Sequence, residues 1–376
     1  MDVSRLQPCM ELPLPKEELQ DIIDKAKDWA LMHGITCKPK EYFNKNQVQF
    51  LPFTLLPSSF PKENFETAKN VQMLLNELMH KVAHNHDFIV NSLKSTIEAD
   101  SFTAKLFKIY EIVHKEGYSQ TISVGLLRSD YLLHKDEIKQ VELNTIASSF
   151  GGIAGITSQY HKYILSELGQ EDKLKNIPEN NTVTGLCEGL IQAWKLYNNE
   201  EAVILFIIED VTYNICDQRF HEFEIRKINP KIRIIRRSLK DLASDVQMGS
   251  NKELIVGHLV VSVVYFRSGY QVEAYPTEQE WSVRLLIERS KAIKCPSIQY
   301  HLAGTKKVQQ SLARPGVLNM FFKDESVVTR IQKIFAGLYS LEFNEEGETI
   351  IKKAMLEPQN YVLKPQREGG GNNVYD

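Results

Sequence analysis

The alternation between residues 181 and 304 constrains this chain more than any other feature. Apolar runs at 203–208, 232–235, 254–256 and 259–266 are rich in β-branched and aromatic residues. Stretches with helical spacing, 184–197, 218–228 and 278–294, lie before, between and after them. Short apolar runs without polar alternation fit strands buried on both faces, and the helices supply the cover. The pattern predicts a doubly wound, largely parallel α/β lobe over 201–304.

The first 200 residues read as mostly helix. Leu19, Ile22, Ile23, Ala26 and Ala30 recur at helical spacing and Gly34 stands where a C-cap would be. After a proline-rich link at 51–61, Val71, Leu74, Leu75, Leu78 and Val82 give the apolar face of a helix over 62–84. Helical pattern returns at 101–115. Strands are expected at 121–127 and 138–144 around a polar turn at 134–137. Beyond 305 we expect a helix at 326–339, a strand at 361–363 and a glycine loop, giving units of 1–200, 201–304 and 305–376.

Lys plus Arg is 45 and Asp plus Glu is 48, a net charge of −3. Such a balance argues against a protein that coats nucleic acid or an anionic membrane. No run of about 18 uncharged apolar residues exists, so no membrane span is expected. The first ten residues carry Asp2 and Arg5 and lack the apolar core of a secretory signal. The five cysteines, at 9, 37, 187, 216 and 295, form no CxxC pair and read as reduced cytosolic thiols. His80, His84 and His86 are closely spaced, but without an HExxH glutamate they read as helix surface.

Four stretches can carry chemistry. In Lys364-Pro-Gln-Arg-Glu-Gly-Gly-Gly-Asn-Asn373, consecutive glycines let backbone N–H groups approach a ligand, and Lys364 and Arg367 add positive charge. Glu368 would repel phosphate unless a cation such as Mg²⁺ lies between them. The loop is either a phosphate cradle or a flexible tail. In Gln140-Val-Glu-Leu-Asn144, residues two apart share a strand face, so Gln140, Glu142 and Asn144 line one side. They are hard ligands suited to Mg²⁺, or the solvent side of an edge strand. Arg128, ending the first expected strand, offers a fork for a substrate carboxylate, or a salt bridge with Asp130. Arg267-Ser-Gly-Tyr270 follows an apolar strand, where open α/β sheets bind ligands, and also reads as an ordinary turn. The pair Lys306-Lys307 alone reads as a solvated face.

Taken together and in order, these stretches resemble the eukaryotic glutathione synthetases, of the ATP-grasp type. The runs are LLRSDY at 126–131, QVELNTIASSFGG at 140–152, NICDQR at 214–219, VVYFRSGY at 263–270, LLIERSKAIKCP at 285–296, LAGTKKVQQ at 302–310, FAGLYSLE at 335–342 and YVLKPQREGGGNN at 361–373. The resemblance covers nearly the whole chain.

The resemblance implies an ATP-grasp-like fold with a helical N-terminal region, the α/β lobe as substrate-binding unit, and an incomplete ATP-grasp lobe starting at 305. It implies ATP-dependent ligation of γ-glutamylcysteine to glycine through an acyl phosphate, in a cytoplasmic homodimer. Arg128, Ser149, Asn214, Gln218, Arg267 and Tyr270 match the positions that hold the dipeptide. Glu142, Asn144 and Glu368 match the Mg²⁺ ligands. Lys306, Lys364, Gly369, Gly370, Gly371, Asn372, Asn373 and Tyr375 match ATP contacts, with Glu142 among them. Arg128 and Lys364 match groups that act on the reacting centre.

Ala147-Ser148 and Ser268 depart from residues common in the family, so one hydroxyl contact is expected to move or be lost. The family also carries a further stretch beyond the lid loop. On that ground the chain is expected to be a truncated form with an open edge beside 361–363, weakly active or inactive. The alternative is a non-catalytic protein that keeps part of the dipeptide pocket.

Overall fold

The computed structural model describes residues 6–367 and 373–374. Helix α1 (Lys16–His33) ends at Gly34, whose φ of 80° suits a residue without a Cβ. Strands β1 (Thr36–Cys37) and β2 (Gln49–Phe50) pair antiparallel. Three helices follow: α2 (Lys62–Ala83), α3 (His86–Ala99) and α4 (Ser101–Glu116). Asn85 and Asp100 cap the last two through their side chains.

An antiparallel hairpin comes next, β3 (Arg128–His134) with β4 (Glu137–Asn144), and then α5 (Gly151–Glu167) and α6 (Thr182–Tyr197). The expected first strand was one element early. Residues 121–127 have no ladder partner among the described residues, whereas 128–134 pairs along its length with 137–144. Pairing, not local composition, fixes that boundary.

The six-stranded sheet is built from β5 (Val203–Ile207), β6 (Ile234–Arg237), β7 (Val246–Met248), β8 (Leu254–Val256), β9 (Leu259–Phe266) and β10 (Ile293–Cys295), in the order β6-β5-β9-β8-β7 with β10 also on β9. Pairs β5–β6, β5–β9 and β9–β10 are parallel, and β7–β8 and β8–β9 antiparallel. The parallel centre agrees with the sequence pattern, and the antiparallel edge makes the sheet mixed. Alternate residues serve opposite cores. Val203, Leu205 and Ile207 pack with α8 (Leu239–Asp245) and α9 (Glu278–Arg289). Ile204 and Phe206 pack with α6 and α7 (Ile215–Ile228).

Several boundaries differ from the expected ones. The stretch 278–294 is not one helix: α9 stops at Arg289, and 293–295 become β10, held parallel to β9. The strand expected at 232–235 lies at 234–237. The chain continues through α10 (Ile298–Ala303), α11 (Lys306–Leu312), α12 (Glu325–Ile334) and α13 (Glu345–Leu356). Helix α12 ends five residues before the expected 339. Residues 361–363 form no strand: Leu363 makes a single antiparallel bridge to Val374. Leu363 N–H donates to Val374 O at 3.2 Å, and Leu363 O accepts from Val374 N–H at 2.9 Å, so a return contact meets the edge expected to be open.

Candidate functional site

The site is organised by an irregularity in the β3–β4 hairpin. Tyr131 opposes Gln140 but Asp130 opposes Glu142, so Val141 is the extra residue of a β-bulge. Directly opposed residues share a face. Tyr131 and Asp130 point to opposite faces, and so therefore do Gln140 and Glu142. The expected row of Gln140, Glu142 and Asn144 is broken. Gln140 joins Ser129 at 3.0 Å, while Arg128, Asp130, Glu142 and Asn144 share the other face. Both Glu142 and Asn144 are buried, not on a solvent side.

On that face Arg128 forms a two-pronged pair with Asp130, Nε to Oδ1 at 2.7 Å and Nη2 to Oδ2 at 2.9 Å. Burial pulls the Arg128 guanidinium down, but the Asp130 carboxylate outweighs it and holds the group above its ordinary value. Asn144 Nδ2 approaches Asp130 Oδ2 at 3.4 Å. Arg128 Nη1 reaches the Ser149 carbonyl at 3.5 Å, which joins this cluster to the next.

Arg267 leaves the C-terminal end of β9, where a parallel sheet presents its ligand crevice. Its guanidinium and the Asp217 carboxylate lie 3.1 Å apart, each side chain 1% exposed. Arg267 also donates to Ser148 O at 2.5 Å and Ser149 Oγ at 3.2 Å. Burial lowers its proton affinity, but Tyr265 and Asp217 more than offset that. Asp217 in turn accepts from the backbone N–H groups of Phe150, Gly152 and Ile153 at 2.9, 3.1 and 3.3 Å. It thus caps α5 from another element, and its negative charge suits the positive helix end. Close approach demands glycine at 152, where a Cβ would lie 2.5 Å from Phe220.

Beyond the end of β5, Gln218 donates to Asn214 Oδ1 at 2.8 Å and Glu209 Oε2 at 3.4 Å, and accepts from Arg236 Nη2 at 2.7 Å. Burial raises the Glu209 carboxyl above its ordinary value. The Tyr270 hydroxyl is also raised, by burial first and then by the charge of Glu209. His221 is fully buried, and its proton affinity is lowered by burial and then by Arg267.

The second half of the site meets the outer edge of β4. Glu142 Oε1 lies 3.1 Å from Lys306 Nζ, the first residue of α11, with side chains 9% and 12% exposed. Lys306 is therefore not a solvated lysine. It also donates to the Arg367 carbonyl. Lys364 Nζ donates to the carbonyl of the bulge residue Val141 at 2.7 Å. Arg367 is paired with Asp100 at 2.7 Å. Lys307 turns away to Glu342 at 2.7 Å. Glu368, Gly369, Gly370, Gly371, Asn372 and Tyr375 lie outside the described residues.

The family model for the eukaryotic glutathione synthase ATP-binding domain matches residues 16–376. Glutathione synthetase of Homo sapiens is 43% identical over 367 residues, 96% of this chain and 77% of the relative. That of Xenopus laevis is 42% identical, covering 95% and 76%. The chloroplastic enzyme of Arabidopsis thaliana is 38% identical, covering 96% and 68%. The solved structure of a glutathione synthetase-like effector from Globodera pallida, in its apo form, superposes with a TM-score of 0.73 at 25% identity, over 97% of this chain and 77% of that one.

This chain belongs to the eukaryotic glutathione synthetase family.

Of the positions matched to that family, Arg128, Ser149 and Arg267 form one connected cluster. Asn214, Gln218 and Tyr270 surround Glu209 at the adjoining strand end. Glu142, Lys306 and Lys364 gather at the bulge. Asn144 joins the first cluster through Arg128 O and Asp130. Sequence reasoning missed Asp217, Glu209 and Arg236, the partners that fix these residues. It also missed Gln309, although its spacing of three from Lys306 places both on one helix face. For Asp217 a signal existed: an acidic residue immediately before the helix expected at 218–228, inside a matched run.

Proposed function

We propose that this chain is a glutathione synthetase, an ATP-dependent ligase that joins γ-glutamylcysteine to glycine and releases ADP and phosphate. One observation carries the reading. Two charge systems of different character meet on one face of the β3–β4 hairpin: guanidiniums around Ser149, and lysines around Glu142. The first matches a carboxylate-rich dipeptide and the second a polyphosphate. Arg128, Ser149, Asn214, Gln218, Arg267 and Tyr270 hold the dipeptide in the lobe over 201–304 and its rim. Lys306 and Lys364 hold the phosphates, completed by Asn373 and by Glu368 to Asn372 with Tyr375. The unit at 305–376 supplies this side, and 1–200 supplies the hairpin and helical frame.

The donor set of Glu142 and Asn144, oxygen ligands two residues apart on one face, fits Mg²⁺, with Glu368 as third ligand. Glu142 already receives a cation, the Lys306 ammonium, at 3.1 Å. When bound, the metal neutralises charge on the phosphates during transfer. The protein's own part is positioning: no side-chain nucleophile is needed, because Arg128 and Lys364 hold carboxylate and phosphate in register.

The same reading includes a cytoplasmic homodimer. All five cysteines are free thiols, as a reducing compartment would keep them. Tyr42 is 94% exposed, and Met32, Phe43, Val48 and Phe50 in the same stretch of sequence are exposed too, apolar surface suited to a second copy. The enzymatic test is mass detection of glutathione after incubation with Mg²⁺, ATP, γ-glutamylcysteine and glycine. Product that requires all of them, and is lost in Glu142→Gln, is expected. Absence of product at saturating substrates would overturn the assignment.

A further inference from the structure

Lys306 belongs to a helix, and Glu142 and Asn144 to a strand 164 residues away in sequence from that lysine. They form one site only if helix and strand keep a fixed register. The contact that sets it is made by Gln309. Its Oε1 accepts from Leu143 N–H at 2.8 Å, and its Nε2 donates to Leu143 O at 3.1 Å. Leu143 lies between Glu142 and Asn144. With both its backbone groups turned to Gln309, the Leu143–Ser129 pair is of the kind that exchanges no ladder hydrogen bonds. A single carboxamide thus supplies the two bonds a neighbouring strand would supply.

The same Nε2 donates to Gly304 O at 2.7 Å, at the end of α10. Gly304 is followed by Thr305, the N-cap of α11, and then by Lys306. Gly304 is itself pressed onto β4's exit: a Cβ there would lie 2.0 Å from Thr145 Oγ1, and that hydroxyl donates to Tyr300 O at 2.8 Å. The start of α11 is therefore seated on residues 143–145 at three points. Only glutamine answers all of them. Glutamate would turn a second acceptor toward two carbonyls, asparagine is one methylene short, and methionine fills the space with neither donor nor acceptor.

We infer that Gln309 is a positioning residue of the nucleotide site, setting Lys306 against Glu142 while touching no ligand itself. The inference rests on the reading of Lys306 and Glu142 given above. Leu143 is buried, so loss of its partner leaves an unsatisfied N–H and C=O, and relief comes by moving the strand away from the helix. That motion falls on the Lys306–Glu142 contact.

The test compares the full chain with Gln309→Met and Gln309→Glu. Amide exchange over 140–147 and the acetylation rate of Lys306, read by mass spectrometry, report position without any nucleotide. Calorimetric titration with ATP and with γ-glutamylcysteine reports function. In both variants exchange at Leu143 and labelling of Lys306 should rise, ATP affinity should fall by about tenfold, and dipeptide affinity should hold. Lysines distant from α11 serve as the internal standard for labelling. Unchanged labelling of Lys306, or an equal loss of both ligands, overturns the inference. So does unaltered ATP affinity beside altered exchange, which would make Gln309 merely structural. Wild-type protein that binds no ATP would instead sink the functional assignment, and the labelling would still decide whether Gln309 places Lys306.

Discussion

Replacing Asp217 by alanine removes the carboxylate that forms an ion pair with the Arg267 guanidinium, 3.1 Å away in a site where both side chains are 1% exposed. Breaking a buried pair from one side costs about 3–5 kcal/mol, because the remaining charge stays desolvated. The same carboxylate accepts three backbone N–H groups at the start of α5. Loss of a cap costs about 0.5–2 kcal/mol more. Both effects act through one carboxylate and do not simply add, so a total of about 4–6 kcal/mol is expected. That is a large part of the stability of an ordinary domain, about 5–15 kcal/mol. Urea unfolding followed by tryptophan fluorescence measures it, with Asp217→Asn as companion. The asparagine keeps an acceptor for α5 but not the charge, so it should recover only the smaller, capping share. Adding Arg267→Met to Asp217→Asn should restore stability, since the unpaired guanidinium is then gone. A loss under about 1 kcal/mol for Asp217→Ala, or no recovery in the double variant, would refute the charge argument.

Arg128→Ala should weaken γ-glutamylcysteine binding by about 2–5 kcal/mol and leave ATP affinity unchanged; calorimetry that shows equal losses rejects the assigned role. Gly304→Ala drives a Cβ to 2.0 Å from Thr145 Oγ1 and should cost about 1–3 kcal/mol in chemical unfolding, most of it regained with Thr145→Gly. Burial lowers the proton affinity of His221 and of His301, which is held well below its ordinary value. Their unfolded forms take up protons first on acidification. Their contribution is therefore whole above the ordinary value of 6.5 and is lost as pH falls below it. Each should remove up to about 1.4 kcal/mol per pH unit there, and His301→Gln should flatten the measured slope.

How much of this was legible depended on where each element finds its partners. β5 and β9 bury every residue from 203 to 207 and from 261 to 266, and their apolar composition states it openly. β3 carries Arg128 and Asp130 because its face lines a site, so composition pointed one element upstream to 121–127. The break between α9 and β10 was hidden because Ile293 and Cys295 are apolar in either structure, and pairing with β9 decides between them. Helix α3 went unread although Asn85 caps it, its Oδ1 accepting from Phe88 N–H at 3.0 Å. The proposed site residues Arg267 and Glu142 were candidates from strand ends and residue type, beside the readings of an ordinary turn and an edge strand. Their partners were not: Asp217 lies 50 residues from Arg267 and Lys306 lies 164 from Glu142, distances at which single-sequence patterns say nothing.

The bulge at Val141 explains why so many contacts converge on one short strand. A regular β4 would alternate, spending its outer edge on another strand and placing Gln140 in the row with Glu142. With the extra residue, Gln140 turns to Ser129 and its carbonyl meets Ala336 N–H at 3.2 Å. The carbonyl of Val141 is left for Lys364, and the backbone of Leu143 for Gln309. The edge is thereby satisfied by one backbone N–H and two side chains from three later segments, which also blunts it as a template for pairing with other chains. Two of those segments carry or flank a lysine proposed to hold phosphate. Residue 364 is itself one of these lysines, and 309 follows Lys306 by one turn, while 335–336 open the run that ends at Glu342. The contacts that satisfy the backbone of β4 therefore also place the two lysines proposed to hold phosphate. A substitution that restores a regular β4 should scatter Lys306 and Lys364 together, even if every charged residue is kept.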